Sequence, residues 1–300
     1  MEIKGVTVGG DTISLEAYSI NLNREYGVPA DDMELLIPWE GEFPELARIS
    51  AKQNGEPVFT GIVDVIERKI SSSGSYVRIE ARSLAGLLLD NEAKPSVHNG
   101  ITAGMIFENH IRPYGIKKFY GRDIMLEGDF TVTKGMSEWQ VVLDFCRQCY
   151  GTFPYIAADL TVWFESPQDG EEINFESYGS LTERRSRCKL ISGVYIKTAA
   201  AQDYESLIES EAAKNAGVTA VRYLDASQSG SLPMSAAGEI LKLGEEDYYT
   251  LELTVPSCVL PLPGAKARVG EIRGLFVSRV KYSYTRSGEK TVVQLKKNVE

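Results

Sequence analysis

The first 95 residues alternate apolar and polar side chains with a period of two, which is the pattern of β-strands that bury one face. Alternating runs occupy residues 13–17, 47–51 and 77–81, and the turn-forming clusters between them occupy residues 8–12, 53–57 and 71–75. Strands and turns at this spacing predict a small antiparallel barrel or sandwich. We therefore assign a first β-barrel-like domain to residues 1–95.

Helical periodicity begins after this domain. Thr102 is a candidate N-cap of a short helix that Pro113 stops. Ser137 and Gln140 form a capping-box pattern at the start of a longer helix, which Gly151 ends. Two strands are predicted after this helix, over residues 153–157 and 160–164. These elements predict an α+β domain over residues 96–170.

The rest of the chain returns to strand patterns. Strands are predicted over residues 190–198, 220–224, 248–255, 265–269, 275–284 and 291–296. The last two form a hairpin through residues 286–288. An Ala- and Glu-rich stretch near 202–217 predicts an inserted helix, because Gly217 is a typical C-cap residue. The predicted fold class is mainly β with α+β elements, in which two small β-barrel domains flank a small α+β unit and the second barrel-like domain spans residues 171–300.

Motifs for catalysis or cofactor binding are few. Cys146 and Cys149 form a Cys-x-x-Cys pair, but both lie on the apolar stripe of the predicted helix and lack further ligands at zinc-site spacing. His98 and His110 are the two histidines, and neither stands beside a recognisable nucleophile. The sequence contains no Gly-x-Ser-x-Gly elbow, no phosphate-binding P-loop and no His-Glu-x-x-His helix. We predict no catalytic residue, cofactor or metal, and we interpret His110 as structural.

Two alternative functions stay open. A glycan hydrolase needs only two carboxylates about 5–10 Å apart, and carboxylates are abundant here. Trp39 is the tryptophan whose context indicates exposure, so the second alternative is a carbohydrate- or receptor-binding tail module built on exposed aromatic side chains. Cleavage of peptidoglycan supports the first alternative, and binding to a glycan array supports the second.

Charge is distributed unevenly along the chain. Asp and Glu total 42 against 32 Lys and Arg, and the net charge of −10 argues against tight binding to nucleic acid or to an anionic membrane. Residues 1–95 hold 16 acids and 9 bases, whereas residues 265–300 hold 9 bases and 3 acids. Either these are two differently solvated surfaces, or the acidic part of one copy contacts the basic part of the next and closes a ring. In the second interpretation the inter-protomer interface residues are Asp31, Asp32, Glu34, Glu40, Glu42, Glu45, Arg279, Lys281, Lys296 and Lys297.

The sequence shows no targeting or membrane-spanning pattern. Its first residues lack the charged, apolar and small-residue regions of a secretory signal, and no apolar run approaches the roughly 18 residues that a membrane span needs. We therefore expect a protein made in the cytoplasm and not inserted into a membrane.

The order of several short motifs gives the chain a family resemblance. The motifs are Phe-Thr-Gly-Ile-Val at residues 59–63, Glu-Ala-Arg-Ser-Leu-Ala-Gly-Leu-Leu-Leu-Asp at residues 80–90, Thr-Ala at residues 102–103, the helix that carries Trp139, and Leu-Pro-Leu-Pro-Gly at residues 260–264. In this order they resemble the baseplate hub proteins of contractile phage tails and phage-tail-like injection machines, the late control D-type and Mu-like tail hub family.

This resemblance implies a structural protein and no enzyme. Hubs of this family have two similar β-barrels per chain and assemble as homotrimers, whose six barrels make a ring with pseudo-sixfold symmetry. Such a ring adapts the sixfold tail tube to the threefold central spike and leaves an open lumen for DNA or cargo. The implied partners are the tail tube protein, the central spike protein and other baseplate proteins, without tight nucleic-acid binding. The implied location is the baseplate of a virion or phage-tail-like particle, assembled in the bacterial host cytoplasm.

Overall fold

Antiparallel strands predominate over helices in the computed structural model, which describes residues 1–72, 74–165, 172–198, 203–225 and 233–298. The predicted fold class, mainly β with small α+β elements, is confirmed, and the ring assembly stays a prediction. The chain divides into two units. The first contains Met1–Ile173, Thr254–Lys266 and Val277–Val293, and the second contains Asn174–Leu253, Ala267–Phe276 and Gln294–Glu300. The proposed domain boundaries after residues 95 and 170 stay a prediction.

The N-terminal part of the first unit is an antiparallel sheet. Its elements are β1 (Glu2–Thr7), β2 (Thr12–Leu15), β3 (Ser19–Glu25), β4 (Asp32–Pro38), β5 (Leu46–Gln53), β6 (Glu56–Ser71), β7 (Gly74–Ser83) and the short helix α1 (Ala85–Asp90). The strands pair in the order β3-β4-β7-β6-β5-β1-β2. Burial alternates along them: on β4, Met33, Leu35 and Ile37 are buried and the residues between them are not. These inward side chains form one hydrophobic core with Phe59.

A second hydrophobic core of the first unit lies among α+β elements. These are β8 (Ser96–Thr102), α2 (Ala103–Ile106), β9 (Lys118–Tyr120), β10 (Met125–Val132), α3 (Glu138–Tyr150), β11 (Tyr155–Ile156) and β12 (Thr161–Trp163). The predicted strand pair after α3 is the antiparallel pair β11 and β12, and β9 lies parallel to β12. Helix α3 buries Trp139, Val142 and Cys146 in this core, as its apolar periodicity predicts.

Both predicted helix starts are confirmed. The Thr102 hydroxyl accepts a hydrogen bond from the Met105 amide at 3.2 Å and begins α2. At the start of α3, Ser137 Oγ accepts from the Gln140 amide at 3.2 Å, and Gln140 Oε1 accepts from the Ser137 amide at 2.8 Å. Gly151 ends α3 with a φ of 65°, a left-handed conformation that glycine adopts without strain.

The remaining elements are β13 (Ile173–Asn174), β14 (Ser180–Arg185), β15 (Gly193–Lys197), β16 (Ser206–Glu209), α4 (Glu211–Asn215), β17 (Val221–Asp225), α5 (Pro233–Tyr248), β18 (Tyr249–Val255), β19 (Lys266–Val269), β20 (Ile272–Thr285) and β21 (Gly288–Lys297). In the second unit, β16, β15 and β17 form a three-stranded sheet, and the α5 side chains Ala237 and Leu241 pack against it. Strand β14 pairs with β18. Strands β20 and β21 are the predicted hairpin.

The predicted helix near residues 202–217 is wrong over much of its described length. Ser206–Glu209 forms β16, because Ile208 joins the apolar side chains between this sheet and α5. Only α4 is helical, and Ser210 caps it by accepting a hydrogen bond from the Ala213 amide at 3.1 Å. Residue 202 lies outside the described residues, and α5 has no counterpart among the predicted elements.

Gly61 provides a test of the packing of the first sheet. A Cβ atom at Gly61 would lie 2.1 Å from the Arg82 carbonyl oxygen on β7, whereas a Cβ at Gly238 in α5 meets no atom within 4 Å. We expect Gly61→Ala to lower the free energy of unfolding by about 1–3 kcal/mol, because the two backbones must separate. Gly238→Ala, the matched control, is expected to raise it by about 0.5–1 kcal/mol. Urea unfolding of both variants measures the difference, and an unchanged midpoint for Gly61→Ala contradicts the close approach.

Candidate functional site

Two of the predicted interface acids, Asp32 and Glu34, lie on the outer side of β4. Asn23 Nδ2 donates to Asp32 Oδ1 at 2.7 Å. Arg78 Nη2 lies 2.5 Å from Glu34 Oε2, and the same guanidinium is 2.6 Å from Glu80. Glu34 is therefore paired within its own chain. Asp32 is exposed, and among the described residues it accepts a hydrogen bond from an uncharged amide but forms no ion pair.

Three further acids, Glu40, Glu42 and Glu45, are exposed in the loop that joins β4 to β5. The Trp39 indole N–H donates to the Glu42 carbonyl oxygen at 3.0 Å. The Trp39 ring contacts Phe43 edge to face, with 4.9 Å between the ring centroids. The loop thus presents three carboxylates to solvent, and it uses Trp39 for its own packing.

The bases Arg279 and Lys281 lie on β20, which pairs antiparallel with β3 in the first unit. Arg279 is opposite Glu25 in this register, and its Nε lies 3.3 Å from the carboxylate. Lys281 is opposite Asn23 and is exposed. These two bases therefore share a sheet with the acids of β4, from which a single strand separates them.

The other two predicted bases, Lys296 and Lys297, lie at the end of β21 in the second unit. Lys296 Nζ is 2.6 Å from an Asp247 carboxylate oxygen, and that carboxylate is also 3.8 Å from Lys189. Lys297 is exposed. Of the four predicted bases, Lys281 and Lys297 are the two without an ion pair among the described residues.

Asp31 differs from the other predicted interface residues because it is buried, with 3% of its surface exposed. Its Oδ2 lies 3.1 Å from Arg24 Nε and accepts a hydrogen bond from the Tyr155 hydroxyl at 2.8 Å. Burial raises the pKa of the Asp31 carboxyl to about 6, against the opposing effects of Arg24 and the Tyr155 hydroxyl. The prediction for Asp31 is corrected accordingly: this carboxylate is engaged inside the chain and is not offered to another copy.

The guanidinium of Arg24 connects distant parts of the first unit. Its Nη1 donates to the Leu260 carbonyl oxygen at 3.2 Å, and its Nη2 donates to the Val58 carbonyl oxygen. The sequence did contain a signal for this position, because Ile20, Leu22 and Arg24 alternate on one face of β3, and all three are buried. A charged side chain in that alternation requires an internal partner, which sequence reasoning did not assign.

The cysteine pair of α3 has no reactive environment. Cys146 is buried and Cys149 is half-buried, and burial raises the pKa of both thiols, which disfavours the thiolate that metal binding and redox exchange require. Among the residues that the structure describes, no group of three or more His, Cys, Asp or Glu side chains is placed to hold a metal ion.

The buried histidine is part of a polar cluster beneath α3. His110 Nδ1 lies 2.6 Å from a Glu138 carboxylate oxygen, and the Tyr114 hydroxyl donates to the other oxygen at 3.2 Å. His98 Nε2 lies 2.9 Å from the Ser96 hydroxyl on β8. The contacts of His110 join two adjacent segments of one core and agree with a structural role.

Within the described part of the chain, every helix is too short or too polar to cross a lipid bilayer.

Comparison with known proteins identifies the fold. No protein-family model matches the sequence, and no curated protein matches it. A tail protein from Neisseria meningitidis MC58 is 17% identical with a TM-score of 0.75, and the match covers 99% of this chain and 97% of that protein. The 43 kDa tail protein of prophage MuSo2 from Shewanella oneidensis is 15% identical with a TM-score of 0.78, over 99% and 98% of the two chains.

A third similar structure comes from a secretion machine. The E. coli c3393 protein, a component of the type VI secretion system with structural similarity to the T4 bacteriophage tail proteins gp27 and gp5, is 9% identical with a TM-score of 0.57. That match covers 95% of this chain and 74% of the other. The chain therefore has the fold of phage tail proteins, which confirms the predicted resemblance at the level of the fold.

The contribution of the buried ion pair to stability can be measured, with an exposed ion pair as the control. At pH 8, we expect Arg24→Met to lower the free energy of unfolding by about 3–5 kcal/mol, because it leaves the Asp31 carboxylate buried without a counter-charge. Lys118→Met removes an exposed pair with Asp159, 3.4 Å long, and is expected to cost less than about 1 kcal/mol. Denaturant unfolding compares the two variants, and equal costs would show that the buried pair does not stabilise the fold.

Proposed function

We propose that this chain is a structural baseplate hub of a contractile tail, in which three copies form a ring that adapts the sixfold tail tube to the threefold central spike. One observation carries the proposal: phage tail proteins share the fold over almost their whole length and almost the whole of this chain. Because the match leaves few residues of either protein unaligned, it supports a shared structural role. The motif order of the late control D-type and Mu-like hubs supports the same assignment.

The ring is proposed to close through charged surfaces on neighbouring copies. Asp32, Glu40, Glu42 and Glu45 supply exposed carboxylates, and Lys281 and Lys297 supply exposed ammonium groups that in this proposal meet the carboxylates of another copy. The predicted residues Glu34, Arg279 and Lys296 have partners in their own chain and add less to such a contact. Contacts of this kind orient the partners and speed their association more than they add affinity.

The lumen of the ring is proposed to be neutral or acidic. Duplex DNA carries one negative charge per about 1.7 Å of its axis, and a basic wall would hold it by its phosphates. The net charge of −10 supports a lining over which DNA or cargo slides without binding. The partners in this proposal are the tail tube protein, the central spike protein and other baseplate proteins, in a particle assembled in the bacterial cytoplasm.

The hub proposal assigns no catalytic residue and no cofactor. The alternative of a carbohydrate- or receptor-binding tail module named Trp39 as an example of an exposed aromatic side chain, and that ring is half-buried and packs against Phe43. Two of the buried carboxyls, those of Asp31 and Glu138, are paired with Arg24 and His110, so these two do not support the alternative of a glycan hydrolase.

Mass photometry followed by negative-stain averaging tests the assembly. We expect particles of about three times 33.1 kDa, with an open ring of sixfold appearance in the views down the particle axis. Mixing with the tail tube and spike proteins is the second arm, for a ring that needs its neighbours to form. A chain that stays monomeric in both arms and cleaves peptidoglycan overturns the hub assignment in favour of the enzyme.

Salt dependence tests the charged contact. In the wild type, raising NaCl from about 0.05 to about 0.5 M should weaken the trimer, because salt screens the attraction between exposed charges. In the double variant Lys281→Glu and Lys297→Glu the same salt increase should strengthen association, because repulsion is screened instead. Lys118→Glu serves as the control, since its pairing with Asp159 is within the chain. An unchanged salt response in the double variant contradicts a role for these two lysines.

A further inference from the structure

The three-stranded sheet of the second unit has two faces of different character. Helix α5 covers one face, where Val194 and Ile196 of β15 are buried. The residues that alternate with them lie on the opposite face, where the strand register places Tyr195 between Leu207 on β16 and Tyr223 on β17. Tyr223 is 64% exposed and Leu207 is 42% exposed. We call this side of the sheet the tyrosine face, and exposed apolar side chains grouped in this way mark an interaction site.

Two other rings hold the exposed ring of Tyr223 in place. Tyr195 stacks on it, with 5.3 Å between the ring centroids and 16° between the ring planes. Tyr204 contacts it edge to face at a centroid distance of 5.2 Å. Because these contacts fix the ring before a ligand arrives, binding to it costs little conformational entropy. The tyrosine face therefore offers an ordered aromatic surface that is still open to solvent.

Charged side chains lie next to the rings along the strands. Two residues beyond the tyrosine pair, the register places Lys197 opposite Asp225, and alternation brings both side chains to the tyrosine face. Glu205 is exposed and directly precedes β16. An ammonium group donates hydrogen bonds and a carboxylate accepts them, whereas a sugar hydroxyl does both. A polyhydroxylated ligand therefore satisfies both kinds of group at once.

The charge and the size of the tyrosine face narrow the class of ligand. Residues 193–198 and 203–225 contain five acids and three bases. Sites that stack nucleic-acid bases on aromatic rings lie in positively charged grooves, and binding to anionic lipid likewise needs clusters of Lys and Arg. A stable protein interface takes about 20–30 residues from each partner. The apolar part of this face is much smaller, and consists of Tyr195, Tyr204, Tyr223, Leu207 and Val221.

We propose that the tyrosine face binds an uncharged, linear glycan. The C–H groups on one side of a pyranose ring pack on the Tyr223 ring, and the hydroxyls at the rim of the sugar form hydrogen bonds with Lys197 and Asp225. This activity is additional to the proposed hub function and does not depend on it. It also uses none of the residues around Trp39, whose ring packs within its own loop.

Calorimetric titration of the full chain with chitohexaose, cellohexaose and maltohexaose, which are uncharged and linear, tests the proposal. We expect at least one of these sugars to bind. Tyr223→Ala should raise the dissociation constant about tenfold, because the stacking surface is lost, whereas Tyr223→Phe keeps the ring and should change it less than about threefold. Tyr178→Ala, the matched control, removes another exposed tyrosine of the second unit and should leave binding unchanged. An unchanged urea midpoint shows that each variant is folded.

Two further measurements report on the chemistry of the ligand. Lys197→Met should raise the dissociation constant of the bound sugar at least about threefold, because it removes a charged hydrogen-bond donor. Raising NaCl from about 0.05 to about 0.5 M should change the constant less than about twofold, because the sugar carries no charge that salt could screen.

Several results overturn the proposal. If none of the hexasaccharides binds, or if Tyr223→Ala leaves their binding unchanged, the tyrosine face is not a glycan site. Salt-sensitive binding of a single-stranded dT decamer that Tyr223→Ala abolishes assigns the face to nucleic acid. Association with the tail tube or spike protein that Tyr223→Ala abolishes, without sugar binding, assigns it to a protein partner. Mass photometry of the same samples keeps the two proposals apart, since a wild-type chain that binds sugar and forms no ring counts against the hub alone.

Discussion

The buried ion pair of Arg24 and Asp31 is the interaction on which the first unit depends. Transfer of two charges from water into a protein interior costs several kcal/mol for each ion, and the cost is recovered only when the geometry is complete and the remaining polar atoms are satisfied. Here completion requires the Tyr155 hydroxyl and the carbonyl oxygens of Val58 and Leu260. These groups come from β3, β6, β11 and the segment before the C-terminal hairpin. The network therefore stabilises one arrangement of these segments, whereas apolar contacts alone tolerate several.

Local signals in the sequence predicted much of the secondary structure because local physics determines it. The capping box of Ser137 and Gln140 and the hydroxyl of Thr102 satisfy backbone groups within their own turn. A few consecutive residues are therefore enough to predict where these helices begin. Period-two alternation likewise indicates a strand with one buried face, wherever its partner lies in the chain. The mainly β class and the α+β segment follow from signals of this kind.

The elements that sequence reasoning missed depend on contacts with distant residues. Helix α5 contains Gly238 and Gly244, which lower its intrinsic propensity, and Gly244 approaches the Lys189 carbonyl oxygen so closely that a Cβ would lie 2.8 Å from it. In the Ala- and Glu-rich stretch, local propensity favours helix, but pairing with β15 and partial burial of Ile208 make residues 206–209 a strand. In both cases a tertiary contact outweighs local preference.

The charges of the candidate site also depend on contacts between residues that are distant in sequence. Counting charges along the chain separated an acidic N-terminal part from a basic C-terminal part, but strand register determines which charges meet. Register places Arg279 opposite Glu25, and ion pairs join Arg78 to Glu34 and Lys296 to Asp247, so much of the apparent segregation is neutralised within each chain. The net charge of a segment therefore overstates what it offers to a partner.

The charges that remain exposed have a consequence for assembly. A head-to-tail contact generates a closed ring only if every copy presents its two surfaces at the same angle, and otherwise it generates an open filament. Exposed charges make such a contact selective, because a surface of the wrong charge is repelled. A rigid interior and selective surface charges are then complementary requirements. The Arg24 and Asp31 network restricts the first unit to one geometry, and the exposed charges restrict which surfaces that geometry meets.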